Sequence, residues 1–176
     1  FTAPKKYWDM YDRWELQPHP YQQEAENTPS YIYQDWEVRS YDDIPPRGVP
    51  IPSETQQRMI HGYYACVSHI DDCVGQILDE LEAQGIASNT IVVLLGDHGF
   101  HLGDHGMWCK HTTFEQSCRA PLIISAPWMK NPGMRTTAPT EFTDIYPTLC
   151  DLAGLPEPEL DLSTSPDPVP LDGFAD

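Results

Sequence analysis

The chain has 176 residues with 27 acidic against 10 basic side chains, a net charge of −17, 40% hydrophobic residues and 11% aromatics. That length and hydrophobic content suit a domain with a real core rather than a disordered chain, and the acidity excludes a general nucleic-acid-binding surface. No stretch has the length and hydropathy of a membrane span.

The first residues, FTAPKKYWDMYDRWEL, hold neither an apolar leader core nor an initiator Met, so the expectation is a chain that starts inside a larger one. Residues 1–52 are rich in Pro, Tyr, Trp and Gln with little periodicity. They read as an extended, loop-dominated segment with turns at Gln17-Pro18 and Pro45-Pro46. Periodicity then appears. Ser53-Glu54-Thr55-Gln56 has a capping-box pattern, and Ile60, Tyr63, Val67, Ile70, Val74, Ile77 and Leu81 recur at spacings of three and four. This predicts one amphipathic helix over 53–84, stopped by Gly85.

Residues 90–95, TIVVLL, form a continuous β-branched and aliphatic run, the pattern of a strand buried on both faces. A helix followed by a buried strand is half of a βαβ unit. The predicted fold class is therefore α/β, with a mostly parallel (mixed) sheet and helices on both faces. Further on, 120–125 predicts a second strand ended by Pro127. Residues 142–153 predict a second helix, with Thr143 or Asp144 as N-cap, Pro147 confined to the first turn and Gly154 as the stop.

From Pro156 the chain becomes Pro- and Asp-rich and ends without a closing element. The expected organisation is a loop-rich segment 1–52, an α/β part 53–155 and a Pro/Asp-rich segment 156–176, with the sheet incomplete at both ends. Cys66, Cys73, Cys109, Cys118 and Cys150 are scattered without CxxC spacing. They read as small buried hydrophobes rather than a zinc ribbon.

The chemistry concentrates in 96–111, GDHGFHLGDHGMWCKH, which packs four histidines, two aspartates and one lysine into sixteen residues directly after the predicted strand. Sites in open α/β sheets form at the carboxyl ends of strands, where Asp97 and His98 fall. Oxygen ligands favour calcium or magnesium and several imidazoles favour zinc, so spacing alone leaves the metal open. Lys110, with Trp108, Cys109 and Phe114 nearby, predicts a partly buried ammonium. Beside a metal, such a group binds the oxygens of a phosphoryl or sulfuryl group.

The run GDHGFHLGDHGMWCKHTTFEQSCRAPLI resembles the metal-and-lysine segment of type I sulfatases, in the alkaline phosphatase superfamily, and is closest to their iduronate-2-sulfatase-like branch. YYACVSHIDDCVGQILDELEAQG, TDIYPTLCDLAGL and APKKYWDMYD resemble the same family. The resemblance implies hydrolysis of an organic or glycan sulfate ester on an alkaline-phosphatase-like fold. It implies that Asp97 and His98 help hold a divalent cation, usually calcium, and that Lys110 contacts the sulfate. His101 and His111 are implied as substrate contacts, and Asp104 and His105 as loop-structuring residues.

The family's formylglycine nucleophile is made from Cys or Ser in C/S-x-P/A-x-R, a motif that none of the five cysteines begins. Ser125-Ala126-Pro127-Trp128-Met129 comes nearest, with Met129 where arginine is required. The nucleophile is therefore expected upstream, this chain alone is expected to be inactive, and export from the cytoplasm is expected by resemblance. The alternatives are a phosphoesterase or phosphonate hydrolase of the same superfamily, which would hold two zinc ions, and a noncatalytic carbohydrate-binding relative.

Overall fold

Short turns wrapped on one long helix make up the first part of the chain. In the computed structural model, which describes residues 1–156, α1 covers Lys5–Trp8 and single 3-10 turns follow at Arg13–Glu15, Ser30–Ile32 and Val38–Ser40. No helix or 3-10 turn in 1–52 is longer than four residues. α2 spans Ser53–Ala83, one residue short of the predicted end. Its capping box does not form: Pro52 occupies the N-cap with no side-chain bond, Ser53 is already helical, and the Pro52 carbonyl accepts the Gln56 N–H at 3.0 Å. Proline's fixed φ presets this entry without a hydroxyl cap. At the other end Gly85 adopts φ +67°, and the bonds Gly85 N–H to Glu82 O and Ile86 N–H to Leu81 O close a Schellman motif.

The remaining elements are β1 (Val92–Leu95), β2 (His101–Leu102), β3 (Trp108–Cys109), α3 (Glu115–Cys118), β4 (Leu122–Ser125) and α4 (Ile145–Ala153). β1 pairs with β4 from Val92 opposite Ser125 to Leu95 opposite Leu122, and β2 with β3. Both ladders are antiparallel and form two separate two-stranded sheets, and no parallel pair occurs among the described residues. The cause is the connection. A parallel neighbour needs a crossover running back the length of the strand. Residues 96–121 instead fold into the β2–β3 hairpin and α3, and return the chain in the opposite sense.

Burial also departs from the expectation. Leu94 and Leu95 are 38% and 42% exposed, and Ile123 on β4 is 57% exposed. Among the described residues nothing covers both faces of β1. The apolar stripe of α2 divides in the same way: Ile60 and Ala65 are buried, while Val67, Ile70 and Ile77 are exposed. Of the five cysteines, all unpaired, Cys109 and Cys150 are buried as read, Cys66 and Cys73 are half-buried, and Cys118 is exposed.

The core joins three parts of the sequence. Val38, Ile44 and Ile51 of the loop-rich segment, Ile60 of α2, and Trp108 and Cys109 of β3 form one buried cluster, with Phe100 and Leu102 packed against it. The turns of the first part therefore wall the hairpin that carries the histidine-rich loop. The chain divides into two compact units, Phe1–Pro127 and Trp128–Asp176. In the second, a 3-10 turn at Phe142–Asp144 leads into α4, with Pro147 in the first helical turn and Gly154 at φ +67° as the stop. The Asp144 carboxylate turns back to accept the Glu141 N–H at 2.8 Å instead of capping α4. The Pro/Asp-rich segment lies outside the described residues from 157 on. No helix among the described residues is long and apolar enough to cross a membrane.

Candidate active site

The loop after β1 is shaped by backbone packing. Gly96 N–H donates to Pro121 O at 2.9 Å and Gly99 N–H to Ser117 O at 2.7 Å, which ties the turn to the segment leading into β4. A Cβ on Gly99 would stand 1.9 Å from the Gln116 carbonyl oxygen, so only glycine lets the two backbones approach this closely. Asp97 and His98 are thereby held at the carboxyl end of β1, as the sequence predicts, with the Asp97 side chain 86% exposed and that of His98 37% exposed.

The His98 ring is oriented by its neighbours. Its Nδ1 lies 2.7 Å from Gly99 O, a carbonyl that can only accept, so Nδ1 carries a proton and the lone pair of the neutral ring is on Nε2. Nε2 lies 3.5 Å from Asp97 Oδ2, while Asp97 Oδ1 accepts the His98 N–H at 3.1 Å. Two donors each about 2.4 Å from one cation and at right angles stand roughly 3.4 Å apart, so this pair fits adjacent positions on a metal. One carboxylate oxygen and one imidazole nitrogen do not by themselves select calcium. Among the described residues no group of three or more His, Cys, Asp or Glu side chains forms a metal cage.

His101 and Asp104 point inward. His101 is fully buried: Nδ1 lies 2.6 Å from Asp104 Oδ2 and Nε2 lies 2.7 Å from Thr112 Oγ1. With both nitrogens engaged, His101 holds the loop from inside in this structure and presents no face to a substrate. Asp104 also accepts the Leu102 N–H at 3.3 Å. Burial pushes the Asp104 carboxyl up, but the hydrogen bond and charge of His101 and the Leu102 N–H outweigh it, and its pKa lies below the ordinary carboxylate value. His105, at φ +51°, donates its backbone N–H to Tyr21 O at 2.7 Å and fastens the hairpin to the first part of the chain.

Lys110 and His111 follow β3 and converge on Glu37. Lys110 Nζ donates to Glu37 Oε1 at 3.0 Å. His111 Nε2 lies 2.8 Å from Glu37 Oε2, an ion-pair distance without hydrogen-bond alignment, so that oxygen is buried with no hydrogen-bond partner. The His111 ring lies tilted against Trp36, with centroids 4.6 Å apart and 33° between the ring planes. Cys109 precedes them at φ +70°, and burial, reinforced by the Glu37 charge, pushes its thiol up to about 11. This cysteine is a neutral packing group, not a nucleophile.

Lys110 lines a cleft of about 460 Å³ together with Trp8, Glu37, Tyr41, Arg58 and Phe100. The Glu37 hydrogen bond, more than burial opposes it, raises the Lys110 pKa and keeps the ammonium charged. Replacing Glu37 with glutamine removes that hold, so Lys110 loses its proton at lower pH. The expected result is a lower titration midpoint for the Lys110 ammonium, followed by NMR, in Glu37→Gln. An unmoved midpoint would mean that Glu37 does not hold the proton on Lys110.

The loop residues thus fall into three sets: the exposed Asp97–His98 pair, the buried His101–Asp104–Thr112 chain, and Lys110 with His111 on Glu37. Asp97 and His98 are not among the residues lining the cleft. Sequence reasoning passed over Glu37, which sits in QDWEV within the loop-rich segment and carries no spacing signal. It also passed over Thr112 and Ser117, whose only hint is two hydroxyls soon after Lys110.

The profile of the family described as Sulfatase matches residues 12–155. The chain is similar to a sulfatase from Formosa agariphila, 35% identical over 166 residues, with 87% of this chain and 30% of that protein covered. It is similar to iduronate 2-sulfatase from Mus musculus, 29% identical over 189 residues, with 90% of this chain and 34% of that protein covered.

Among solved structures it is similar to BT4656 in complex with its substrate D-glucosamine-2-N,6-O-disulfate, at 34% identity and TM-score 0.58, covering 70% of this chain and 24% of that one. It is also similar to the phosphonate monoester hydrolase SpPMH from Silicibacter pomeroyi, at 29% identity and TM-score 0.67, covering 87% of this chain and 31% of that one. The chain spans about a third of the length of these two curated relatives.

Proposed function

The chain belongs to the sulfatase family, and from that premise we propose that the protein hydrolyses a sulfuric ester carried on a sugar, with this chain contributing the cation-holding pair and the sulfate-binding lysine. The observation that carries the reading is Lys110: an ammonium kept charged by Glu37 in the wall of a cleft, on the same short loop as a carboxylate–imidazole pair of metal-ligand spacing. An anion of the sulfate type needs fixed positive charge that does not reorganise as the S–O bond breaks. An ammonium already seated on a carboxylate is such a charge.

In this reading Asp97 Oδ2 and His98 Nε2 hold the cation, calcium by family resemblance, which when bound polarises the sulfuryl oxygens. Lys110 donates to a sulfuryl oxygen from a donor that Glu37 leaves free. Glu37 keeps the ammonium protonated. His111, tilted against Trp36 beside the same carboxylate, is given a contact to the organic part of the substrate by the family resemblance. The aromatic walls of the cleft, Trp8, Tyr41 and Phe100, suit the apolar face of a sugar ring. The sulfated glucosamine that is the substrate of BT4656 supports a sugar as the carrier. The formylglycine that the family resemblance implies is assigned to no residue of this chain.

Likeness to a phosphonate monoester hydrolase favours a second reading, in which the same lysine and metal serve a phosphonate monoester. One experiment separates the two. The natural polypeptide carrying these residues is assayed on p-nitrophenyl sulfate, a 6-O-sulfated hexosamine and p-nitrophenyl phenylphosphonate, and its metal content is measured. Sulfate release with one calcium per chain supports the sulfatase. Preference for the phosphonate with two zinc ions establishes the second reading, and no turnover of any of the three refutes both.

A further inference from the structure

His101 and Asp104 belong to the motif, yet neither the cation nor the sulfate reading uses them. We propose that Asp104, His101, Thr112 and Ser117 form a buried positioning chain that fixes the cation-holding turn and the lysine-bearing strand end relative to each other. The inference rests on the roles given above to Asp97, His98 and Lys110.

The connectivity is continuous. Asp104 Oδ2 meets His101 Nδ1 at 2.6 Å, His101 Nε2 meets Thr112 Oγ1 at 2.7 Å, and Thr112 Oγ1 donates to Ser117 Oγ at 3.0 Å. From there each end reaches one half of the site. Ser117 O accepts the Gly99 N–H at 2.7 Å, next to His98, and the Thr112 N–H donates to Lys110 O at 2.8 Å. His101, Asp104 and Ser117 are buried and Thr112 is half-buried, so solvent is excluded from the His101–Asp104 link at the root of the chain.

Asp104 is a carboxylate and only accepts, so His101 Nδ1 donates to it. The ring then spans Asp104 and Thr112 with one nitrogen on each, and Thr112 Oγ1 also accepts the Phe114 N–H at 3.4 Å. Each member is thus held from two sides, which fixes the spacing of the two halves.

The test uses Thr112, which touches neither cation nor substrate. Thr112→Val keeps the shape and removes the hydroxyl, and Thr112→Ser restores it. Expected are a loss of about tenfold to a hundredfold in kcat and in cation affinity for Thr112→Val, the scale for partners that orient ligands, and recovery to within about threefold for Thr112→Ser. Near-equal kcat and cation affinity for the two variants would overturn the proposal, including the case in which Thr112→Val loses only thermal stability.

Should Thr112→Val fail to fold, Ser117→Ala makes the comparison at the other end of the chain. A loss of about tenfold or more in calcium affinity by calorimetric titration supports the chain, and an affinity equal to that of the unaltered protein refutes it. Failure of the sulfatase reading is distinguishable, because it appears as absent sulfate turnover in the unaltered protein, while calcium titration does not depend on activity.

Discussion

Lys110→Ala lowers turnover of a sulfate ester by about two to three powers of ten, roughly 2.7–4 kcal/mol of transition-state stabilisation, the scale of removing one preorganised electrostatic donor. Cation content stays unchanged, because Lys110 is not a ligand in this reading. The loss has two sources. The donor to the sulfuryl oxygen disappears, and Glu37, whose Oε1 accepts from that ammonium at 3.0 Å, is left in the cleft wall with only the His111 ring near its other oxygen. An unmasked carboxylate repels an anionic substrate, so part of the deficit is repulsion rather than lost attraction. The double variant Lys110→Ala with Glu37→Gln removes the repulsion alone and is expected to recover part of the rate, a non-additivity typical of groups in direct contact. Lys110→Arg is not a conservative control, since a planar fork replaces a point charge. Near-normal turnover in Lys110→Ala at saturating substrate and cation would leave the lysine as no more than the counter-ion of Glu37.

How far the sequence discloses this site depends on the range of each interaction. The turn after β1 was legible because its determinants are local: an aliphatic run ends, glycines flank Asp97-His98, and the strand terminus fixes where the pair sits. The stop of α2 at Gly85 and the place of Pro147 in α4 were legible for the same reason. Glu37 was not. It meets Lys110 across 73 positions of sequence, and a glutamate in a loop looks the same whether it is solvated or clamps an ammonium. His101 misled in the opposite direction. The family resemblance implied a substrate contact there, yet in this structure the hairpin turns the ring inward, with its nitrogens against Asp104 and Thr112.

Strand direction and burial were hidden by another cause. TIVVLL specifies a strand that favours apolar contact on both sides, but the pattern does not say what supplies the contact or in which sense its partner runs. The antiparallel match of β1 to β4 is decided by the path of 96–121, which has no crossover helix. The apolar period of α2 likewise marks a face without naming its cover, and the half bearing Val67, Ile70 and Ile77 stays exposed among the described residues.

Asp97→Ala separates binding from catalysis within the same loop. The Asp97 side chain is largely exposed and touches the backbone N–H and ring of His98, so its removal is expected to leave folding and thermal stability close to those of the unaltered protein. Cation affinity behaves differently. Losing one charged oxygen ligand weakens it by at least about tenfold, within the range by which ligand charge count tunes calcium sites. Activity falls at limiting cation and returns, at least in part, when the cation is in excess, because Lys110 and the chain through His101 are untouched. Lys110→Ala should show no such rescue, so a cation titration of kcat assigns each residue its role. Calorimetric titration with calcium gives the same comparison without turnover. Calcium affinity in Asp97→Ala equal to that of the unaltered protein would remove the pair at the end of β1 from the metal site and leave its 3.5 Å spacing as a surface contact.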